Sequence, residues 1–445
     1  MTAAPTKPGA VLPEQSRTRK RQHQLQKGAE TVKKVKYEWT KYVDDTIATG
    51  NQLSIAFKAG RLKHSLDFWK SVTTDRNIIS MVAGCSIELQ STPEQHGWPE
   101  NYKFSNNKSM RVDREISKML SQHVIEQIEP NEAGYVSNIF TRDKPDGSLR
   151  VILDLSEFNE HVTYRYFKME SLQTAITLMS PKCYMASIDW KDAYYSVPVA
   201  TEFRKYLAFS WKGQMFQYTC LPNGLACAPR LFTKLSKVLF SELRKLGHVS
   251  TSYIDDCLLL ATSKAACERN IEDTVALSVN AGFVVHPIKS VLYPAQKIVY
   301  LGFVLDSVHM TVQLTPERAV KLKNACSSVL GKREFPLQDL AQVIGLLVAS
   351  FPGVQYGQMF YRRCDIHKNK VLKEGRGNYS VKTTLPEECK EDLRWWIDNI
   401  ECVTRTIVIT KPTAVLETDA SNTGWGSCTT SDSPRRSSGG HWSND

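Results

Sequence analysis

Residues 252–260 of this 445-residue chain read Ser-Tyr-Ile-Asp-Asp-Cys-Leu-Leu-Leu, and the fold prediction starts from them. Asp255 and Asp256 stand between two apolar runs, which is typical of a β-hairpin with its turn at the acids. Residues 183–188 form a second candidate strand, and Asp189 follows it directly. Carboxylates on rigid strands can hold divalent cations, because Mg²⁺ prefers hard oxygen ligands. An Asp-Asp pair in a turn can also simply bond its own backbone, so both interpretations stand at this point.

Strand and helix patterns alternate on either side of this segment. Apolar residues recur at three- and four-residue steps from Val112 to Ile128, which predicts an amphipathic helix that Pro130 ends. The other predicted strands are at 135–141 and 149–155, which form a hairpin with its turn at residues 144–147, and at 214–219 and 298–305. The other predicted helices are at 230–246 and from 316 through 347, with breaks at Pro336 and Pro352, and two short strands are predicted within 414–430.

Charge is concentrated at the N-terminus. The chain has a formal net charge of +11, of which residues 1–36 carry nine Lys or Arg and two Glu. This stretch is polar and aperiodic, which predicts a basic, disordered tail. A polyanionic partner would explain the tail, since Lys and Arg release condensed counterions when they neutralise phosphates. A solvated terminus without a partner is the alternative.

The cysteines and the absence of long apolar runs bear on location. None of the eleven cysteines forms a Cys-x-x-Cys motif, so neither a zinc site nor a disulfide framework is predicted. Residues 1–10 lack the apolar centre of a signal peptide, and no run of about 18 apolar residues exists. We therefore expect an intracellular protein of the cytoplasm or nucleus, neither secreted nor inserted in a membrane.

Several motifs between residues 112 and 305 resemble those of reverse transcriptases. Residues 253–256 are similar to the Tyr-x-Asp-Asp signature, and residues 189–194 resemble the motif that precedes it in the family. The other similar segments, in the same order as in the family, are residues 144–150, 153–159, 221–229, Lys289 and residues 300–303. Each segment is a weak signal alone, whereas the ordered set is specific.

The resemblance implies an α+β right-hand polymerase, with fingers, palm and thumb and an antiparallel palm sheet. It implies that Asp189, Asp255 and Asp256 bind two Mg²⁺ ions, with Mn²⁺ as a substitute. Lys289 would be a further catalytic residue that protonates the leaving pyrophosphate, although a plain surface lysine is the alternative. Leu301 and Gly302 would hold the primer end.

The resemblance also implies a set of nucleotide-binding residues. Lys144 and Arg150 would contact the triphosphate, and Tyr194 would exclude a 2′-hydroxyl. Gly224 would allow the backbone to approach the template–nucleotide pair closely. A solvated turn lysine is the alternative for Lys144, and a packed aromatic is the alternative for Tyr194. Asn223 stands where viral members of the family often have Gln, and no contact is assigned to it.

Resemblance outside these motifs suggests a branch of the family and domain boundaries. Residues 60–69, 78–87, 335–363 and 417–442 look like DIRS-type retrotransposons, and the last of these resembles the start of an RNase H domain with Asp419 as its one matching acid. The predicted units are a basic disordered tail (1–50), an element-specific N-terminal region (51–110), fingers and palm (111–310), a helical thumb and connection (311–412) and an incomplete RNase H-like fragment (413–445).

The predicted function is RNA-directed DNA polymerisation in a retrotransposon. The enzyme would extend a primer on an RNA or DNA template with deoxynucleoside triphosphates, and no RNase H activity is expected from this chain. Two alternatives remain: a catalytically silent, co-opted nucleic-acid-binding protein and a DNA-templated repair polymerase. The sequence identifies no protein partner.

Overall fold

The computed structural model describes residues 57–144, 147–407, 415–430 and 435–442. The predicted basic tail lies outside these residues. The helices are α1 (Leu66–Val72), α2 (Arg76–Ala83), α3 (Asn106–Ser121), α4 (Leu172–Leu178), α5 (Thr201–Arg204), α6 (Ala228–Lys245), α7 (Lys264–Asn280), α8 (Pro316–Leu330), α9 (Leu337–Ser350), α10 (Arg362–Glu374) and α11 (Glu387–Asn399).

The strands up to the second half of the chain are β1 (Ile125–Ile128), β2 (Ile139–Asp143), β3 (Leu149–Leu153), β4 (Tyr184–Asp189), β5 (Ala208–Trp211), β6 (Gln214–Tyr218), β7 (Val249–Tyr253), β8 (Asp256–Ala261) and β9 (Val291–Ala295). Those that follow are β10 (Lys297–Tyr300), β11 (Phe303–Asp306), β12 (Thr311–Leu314), β13 (Phe335–Pro336), β14 (Lys382–Thr383), β15 (Arg405–Thr406), β16 (Leu416–Ala420), β17 (Gly424–Thr429) and β18 (Ser437–His441).

A four-stranded sheet in the order β7-β8-β4-β9 forms the centre of the protein. We call it the central sheet. Its pairings are antiparallel, and the register of β4 with β8 places Asp189 opposite Asp256. Cys257, Leu258, Leu259 and Leu260 of β8 are all buried, because this strand lies between two cores. Successive side chains point to opposite faces, so an unbroken apolar run is what such a strand requires.

One face of the central sheet borders the first core, which contains residues from the N-terminal region and from α3, α6 and α7. Trp69 of α1 is fully buried in it, and its indole Nε1 donates a hydrogen bond to the carbonyl of Ala281 at 3.0 Å. Val112 and Ile116 of α3 belong to the same core. The predicted boundary between residues 110 and 111 therefore crosses a shared hydrophobic core.

The other face borders a second core built from α4, from β10–β12 and from α8–α11. Trp396 is fully buried there and donates from Nε1 to the carbonyl of Phe360 at 2.9 Å. Helix α8 begins after Thr315, whose side chain accepts a hydrogen bond from the backbone N–H of Arg318, with Pro316 at the start of the helix. Both features are common helix start signals.

The prediction of one helix from Val112 to Ile128 is wrong. Helix α3 ends at Ser121, and residues 125–128 form strand β1, which pairs with β6. His123 lies between them with φ 56°, a left-handed conformation that ends a helix. Val124, just before β1, and Ile125, its first residue, are buried, so their apolar character reflects burial outside the helix.

The prediction of one strand over residues 298–305 is also wrong, because the segment is the hairpin of β10 and β11. Leu301 and Gly302 form its two-residue turn with φ 49° and 77°. Positive φ at both positions is typical of a type I′ turn, whose twist matches the strands on either side. The hairpin of β2 and β3 is confirmed, and its residues 145 and 146 lie outside the described part of the chain.

The predicted strand pair within residues 414–430 is confirmed as β16 and β17, and a third strand, β18, adds to it. The residues of β18 are small and polar, so sequence patterns do not mark it as a strand. All eleven cysteines are free thiols. No helix in the described ranges is long and apolar enough to cross a membrane.

We expect Trp69→Ala to lower the free energy of unfolding by about 3–5 kcal/mol, because it removes a buried indole and leaves a cavity. Chemical denaturation followed by circular dichroism measures this change. Trp98→Ala is the matched control, since Trp98 is 54% exposed, and its effect should stay within about 0.5 kcal/mol. Equal effects of the two substitutions would contradict a core shared across residue 110.

Candidate active site

The two-residue turn between β7 and β8 consists of Ile254 and Asp255. Ile254 has φ 56°, an uncommon conformation for a β-branched residue. Positive φ at the first turn position alone is typical of a type II′ turn. The Ile254 side chain packs against the first core. The turn thus carries backbone strain that the surrounding packing maintains, which is frequent at functional sites.

Asp189, at the end of β4, is held through its backbone. Its N–H donates to the Ser290 hydroxyl at 3.0 Å, and its carbonyl accepts from the N–H of His286 at 2.8 Å. The next residue, Trp190, is buried and stacks on Phe283 with ring centroids 4.4 Å apart. Its backbone N–H donates to the carbonyl of Asp255 at 3.0 Å. The end of β4 is therefore fixed to the acidic turn.

Negative charge is crowded at this point. Burial, with the charges of Asp255 and Asp189 added to it, raises the pKa of Asp256 to about 6. Burial and then the charge of Asp189 also raise the pKa of Asp255. Lys289 partly offsets this charge, with its Nζ 3.7 Å from Asp189 Oδ2, although its side chain is 64% exposed. Such carboxylates gain from a cation, which favours their ionised form.

The three aspartates are neighbours, but they do not form a closed metal cage. Within the described ranges of the chain, no group of three or more His, Cys, Asp or Glu side chains is arranged as a metal site. The assignment of metal-binding roles to Asp189, Asp255 and Asp256 therefore stays a prediction.

A cavity of about 580 Å³ opens beside the acidic turn, and we call it the larger cavity. It brings together six of the predicted site residues, which are Lys144, Arg150, Asp189, Tyr194, Asp255 and Lys289. Arg150 lies on β3 and Lys144 follows β2 in the same hairpin. Both are basic, and they line the cavity together with the acids. A cavity lined by both cations and carboxylates suits a phosphorylated ligand that binds with metal ions.

A smaller cavity of about 380 Å³ adjoins the first one. Asp256, Leu301 and Gly302 line it, so the residues predicted to hold the primer end lie beside an acid predicted to bind metal. Asp189 and Lys289 line both cavities. These two residues form the boundary between the two spaces.

Tyr194 lines the larger cavity and is also packed, so the two interpretations of this residue are compatible. Its ring lies edge-on to Phe232, with centroids 5.5 Å apart. Burial, followed by the charge of Asp255, raises the pKa of its hydroxyl well above the ordinary value. The side chain is thus a neutral, rigid part of the cavity wall.

Gly224 is not among the residues that line either cavity. It has φ 101°, and a Cβ there would lie 2.8 Å from the carbonyl oxygen of Leu153. The side chain of Asn159 holds this loop, since its Nδ2 donates to the carbonyl of Gly224 at 2.9 Å. Close packing against β3 is therefore sufficient reason for a glycine, and contact with a nucleotide stays a prediction.

Two further residues complete the comparison with the sequence. Asn223 lines the larger cavity, and its Nδ2 lies 3.3 Å from the hydroxyl of Tyr195. Asp419 is exposed on β16 and lines neither cavity. Ser290, His286 and Trp190 were not predicted as supporting residues. The only sequence signal for them was their closeness to Lys289 and Asp189 along the chain.

The architecture is similar to that of solved viral polymerases. A foamy viral protease-reverse transcriptase in complex with dsDNA superposes with a TM-score of 0.60 and 18% identity, over 81% of this chain and 72% of that one. The same kind of protein in complex with an RNA/DNA hybrid gives a TM-score of 0.57 and 17% identity, over 92% of this chain and 52% of that one. The protein therefore has a polymerase fold.

The family follows from the sequence of the same region. Residues 108–305 match the family model "Reverse transcriptase (RNA-dependent DNA polymerase)". The Transposon Tf2-3 polyprotein of Schizosaccharomyces pombe is 22% identical over 262 residues, which are 58% of this chain and 19% of that protein. The chain thus spans about a fifth of the length of the curated relatives it matches. Residues 108–305 therefore correspond to a reverse transcriptase domain.

We expect Gly224→Ala to lower the free energy of unfolding by about 3 kcal/mol, from positive φ and from the clash with Leu153 together. Gly247→Ala is the matched control, because Gly247 has φ 86° and no described atom lies within 4 Å of the position that a Cβ would occupy. It should lose only about 1 kcal/mol. Thermal or chemical denaturation compares the two variants, and equal losses would contradict the packing role of Gly224.

Proposed function

We propose that the protein is an RNA-directed DNA polymerase that extends a primer with deoxynucleoside triphosphates on an RNA or DNA template. The main observation in support is the larger cavity, which Arg150 and Lys144 line together with Asp189 and Asp255. A triphosphate bound in this cavity would have its phosphates near the two basic side chains and its reacting phosphorus near the acids. Nucleotidyl transfer requires that arrangement.

Two divalent cations, Mg²⁺ or Mn²⁺, fit the acids of the site. Asp189, Asp255 and Asp256 would hold them through carboxylate oxygens, the ligand type that these cations prefer. The raised pKa values of Asp255 and Asp256 support this fit, because like charges confined together favour a neutralising partner. When bound, the ions would activate the primer 3′-hydroxyl and stabilise charge on the leaving pyrophosphate.

The basic side chains of the site would act on the triphosphate. A guanidinium can bind phosphate oxygens with two parallel hydrogen bonds, so Arg150 would orient the triphosphate, whereas Lys144 would act as a point charge. Lys289 lies where both cavities meet and can donate a proton to the leaving pyrophosphate. Because the Lys289 side chain is 64% exposed, its ammonium group can move toward the leaving pyrophosphate.

The primer and template would approach from the side of the smaller cavity. Leu301 and Gly302 line that cavity with Asp256, so they would hold the primer end next to the acids. The foamy viral relatives in complex with dsDNA and with an RNA/DNA hybrid support a paired nucleic acid as the partner. In this assignment β2 and β3 belong to the fingers, the central sheet to the palm and α8–α11 to the thumb and connection.

The branch of retroelement and the C-terminal sheet belong to the same proposal. The segments that resemble DIRS-type retrotransposons support that branch, and β16–β18 with Asp419 would be part of an RNase H-like fold. The alternative is a co-opted chain that binds nucleic acid without catalysis. Three acids held this close together, with the pKa values of Asp255 and Asp256 raised, are unfavourable without a cation, which favours catalysis.

Asp255→Asn should reduce nucleotide addition about a thousandfold or more while template–primer affinity changes little. The substitution removes a charged oxygen ligand, and loss of two-metal geometry costs several kcal/mol of the activation barrier. Primer extension on RNA and DNA templates with Mg²⁺ measures the rate, and a gel-shift titration measures affinity.

Asp192→Asn is the matched control, since Asp192 lines the same cavity and has φ 49°, which Asn tolerates. Its rate should stay within about threefold of wild type, less than 1 kcal/mol of barrier. If the Asp255 variant retained a tenth of wild-type activity, the metal assignment would be wrong. An inactive wild-type chain would favour the silent alternative.

Tyr194→Val should increase the use of ribonucleotides relative to deoxyribonucleotides by about tenfold or more, because a smaller side chain no longer clashes with a 2′-hydroxyl. Tyr194→Phe keeps the ring and should discriminate like wild type. Single-nucleotide incorporation with matched ribo- and deoxyribonucleotides gives the ratio. The same ratio in the Val variant and in wild type would refute an excluding role for this ring.

A further inference from the structure

Two residues to which no role has been assigned contact the acidic hairpin of β7 and β8 through hydrogen bonds to its backbone. Tyr300, at the end of β10, is buried and donates from its hydroxyl to the carbonyl of Asp256 at 3.3 Å. Glu170, just before α4, accepts hydrogen bonds from the Thr251 hydroxyl and from the Ser252 N–H, the latter at 3.1 Å. One contact lies on each strand of the hairpin.

The contact of Glu170 satisfies a backbone group that the sheet leaves open. Strand β7 is at the edge of the central sheet, with β8 as its neighbour. Tyr253 and Asp256 flank a two-residue turn and form a hydrogen-bonded pair. Hydrogen bonding alternates along an antiparallel strand, so the N–H of the preceding residue, Ser252, points away from β8. Glu170 accepts from that N–H and also pairs with Arg244 of α6 at 3.3 Å. It thereby connects the edge strand to a helix.

The contact of Tyr300 links the β10–β11 turn to the acidic hairpin. Tyr300 directly precedes Leu301 and Gly302, and all three line the smaller cavity with Asp256. Asp256 also flanks the strained turn that carries Asp255. A displacement of the β10–β11 turn would therefore be transmitted through one hydroxyl to the backbone of an acid.

We propose that Tyr300 and Glu170 are positioning residues that hold the hairpin of Asp255 and Asp256 in its working geometry. The inference rests on the proposed polymerase function. A strained turn keeps its conformation only where its surroundings fix it, and here the backbone on both sides of the turn is fixed by side chains from other elements. Neither residue touches the nucleotide or the metal ions in this assignment, so their effect is on rate.

The test uses the full chain with Tyr300→Phe and Glu170→Ala in single-turnover primer extension. Each variant should slow the maximal rate of addition about tenfold, as expected when one hydrogen bond that supports the transition-state geometry is lost. The nucleotide concentration at half-maximal rate should change less than about twofold. Glu170→Gln keeps an acceptor oxygen for Ser252 and should recover most of the rate.

Matched controls are Tyr293→Phe on β9, where the ring is 66% exposed, and Glu272→Ala on the exposed side of α7. Both should match wild type. Amide hydrogen exchange of residues 249–261, followed by mass spectrometry, is a second measurement that needs no activity. Exchange there should become faster in Tyr300→Phe and Glu170→Ala and stay unchanged in the controls.

Faster exchange together with slower addition supports the proposal. Unchanged exchange would overturn it, and so would faster exchange with an unchanged rate of addition, since the contacts would then serve only the fold. If the wild-type chain adds no nucleotide, the proposed function fails. The exchange data then decide separately whether Tyr300 and Glu170 hold the hairpin.

Discussion

The antiparallel pairing of β4 with β8 places Asp189 opposite Asp256 at the end of the central sheet. Two carboxylates at this register, with a third on the adjoining turn, are unfavourable in a partly buried position. Their proximity depends on the backbone, because Asp189 hydrogen-bonds through its N–H and carbonyl to Ser290 and His286, and the backbone N–H of Trp190 donates to the carbonyl of Asp255. The packing of the sheet therefore provides the free energy that keeps the acids together.

That packing comes from two cores on opposite faces of one sheet. In β8, Cys257 and Leu259 belong to the first core, and Leu258 and Leu260 belong to the second. A strand that is buried on both faces cannot shift register without moving apolar side chains between cores. The position of Asp256 is thus determined by four successive buried residues. Asp189 lines both cavities, and a fixed position of this kind suits the proposed alignment of two substrates.

Sequence patterns predicted the acidic hairpin because its apolar runs and its turn lie within nine consecutive residues. They failed where burial and local pattern disagree. Helix α7 was not predicted, since Asn270, Thr274 and Ser278 are buried polar residues on its inner face and interrupt the apolar period. Residues 298–305 were predicted as one strand because only Gly302 marks the turn. Ser290, Glu170 and Tyr300 bind backbone atoms of distant residues, and no side-chain pattern encodes such contacts.

The first core has a consequence for how this domain can be exchanged between proteins. The family model begins at residue 108, yet the core beneath α3 includes Trp69 and Val82 from before that point. A sequence-defined domain boundary and a folding boundary are therefore different places in this chain. Recombination that joined a foreign segment at residue 108 would combine core residues from two different proteins, and their side chains would pack poorly against each other. The N-terminal helices and residues 108–305 therefore form one folding unit, and we expect them to be inherited together.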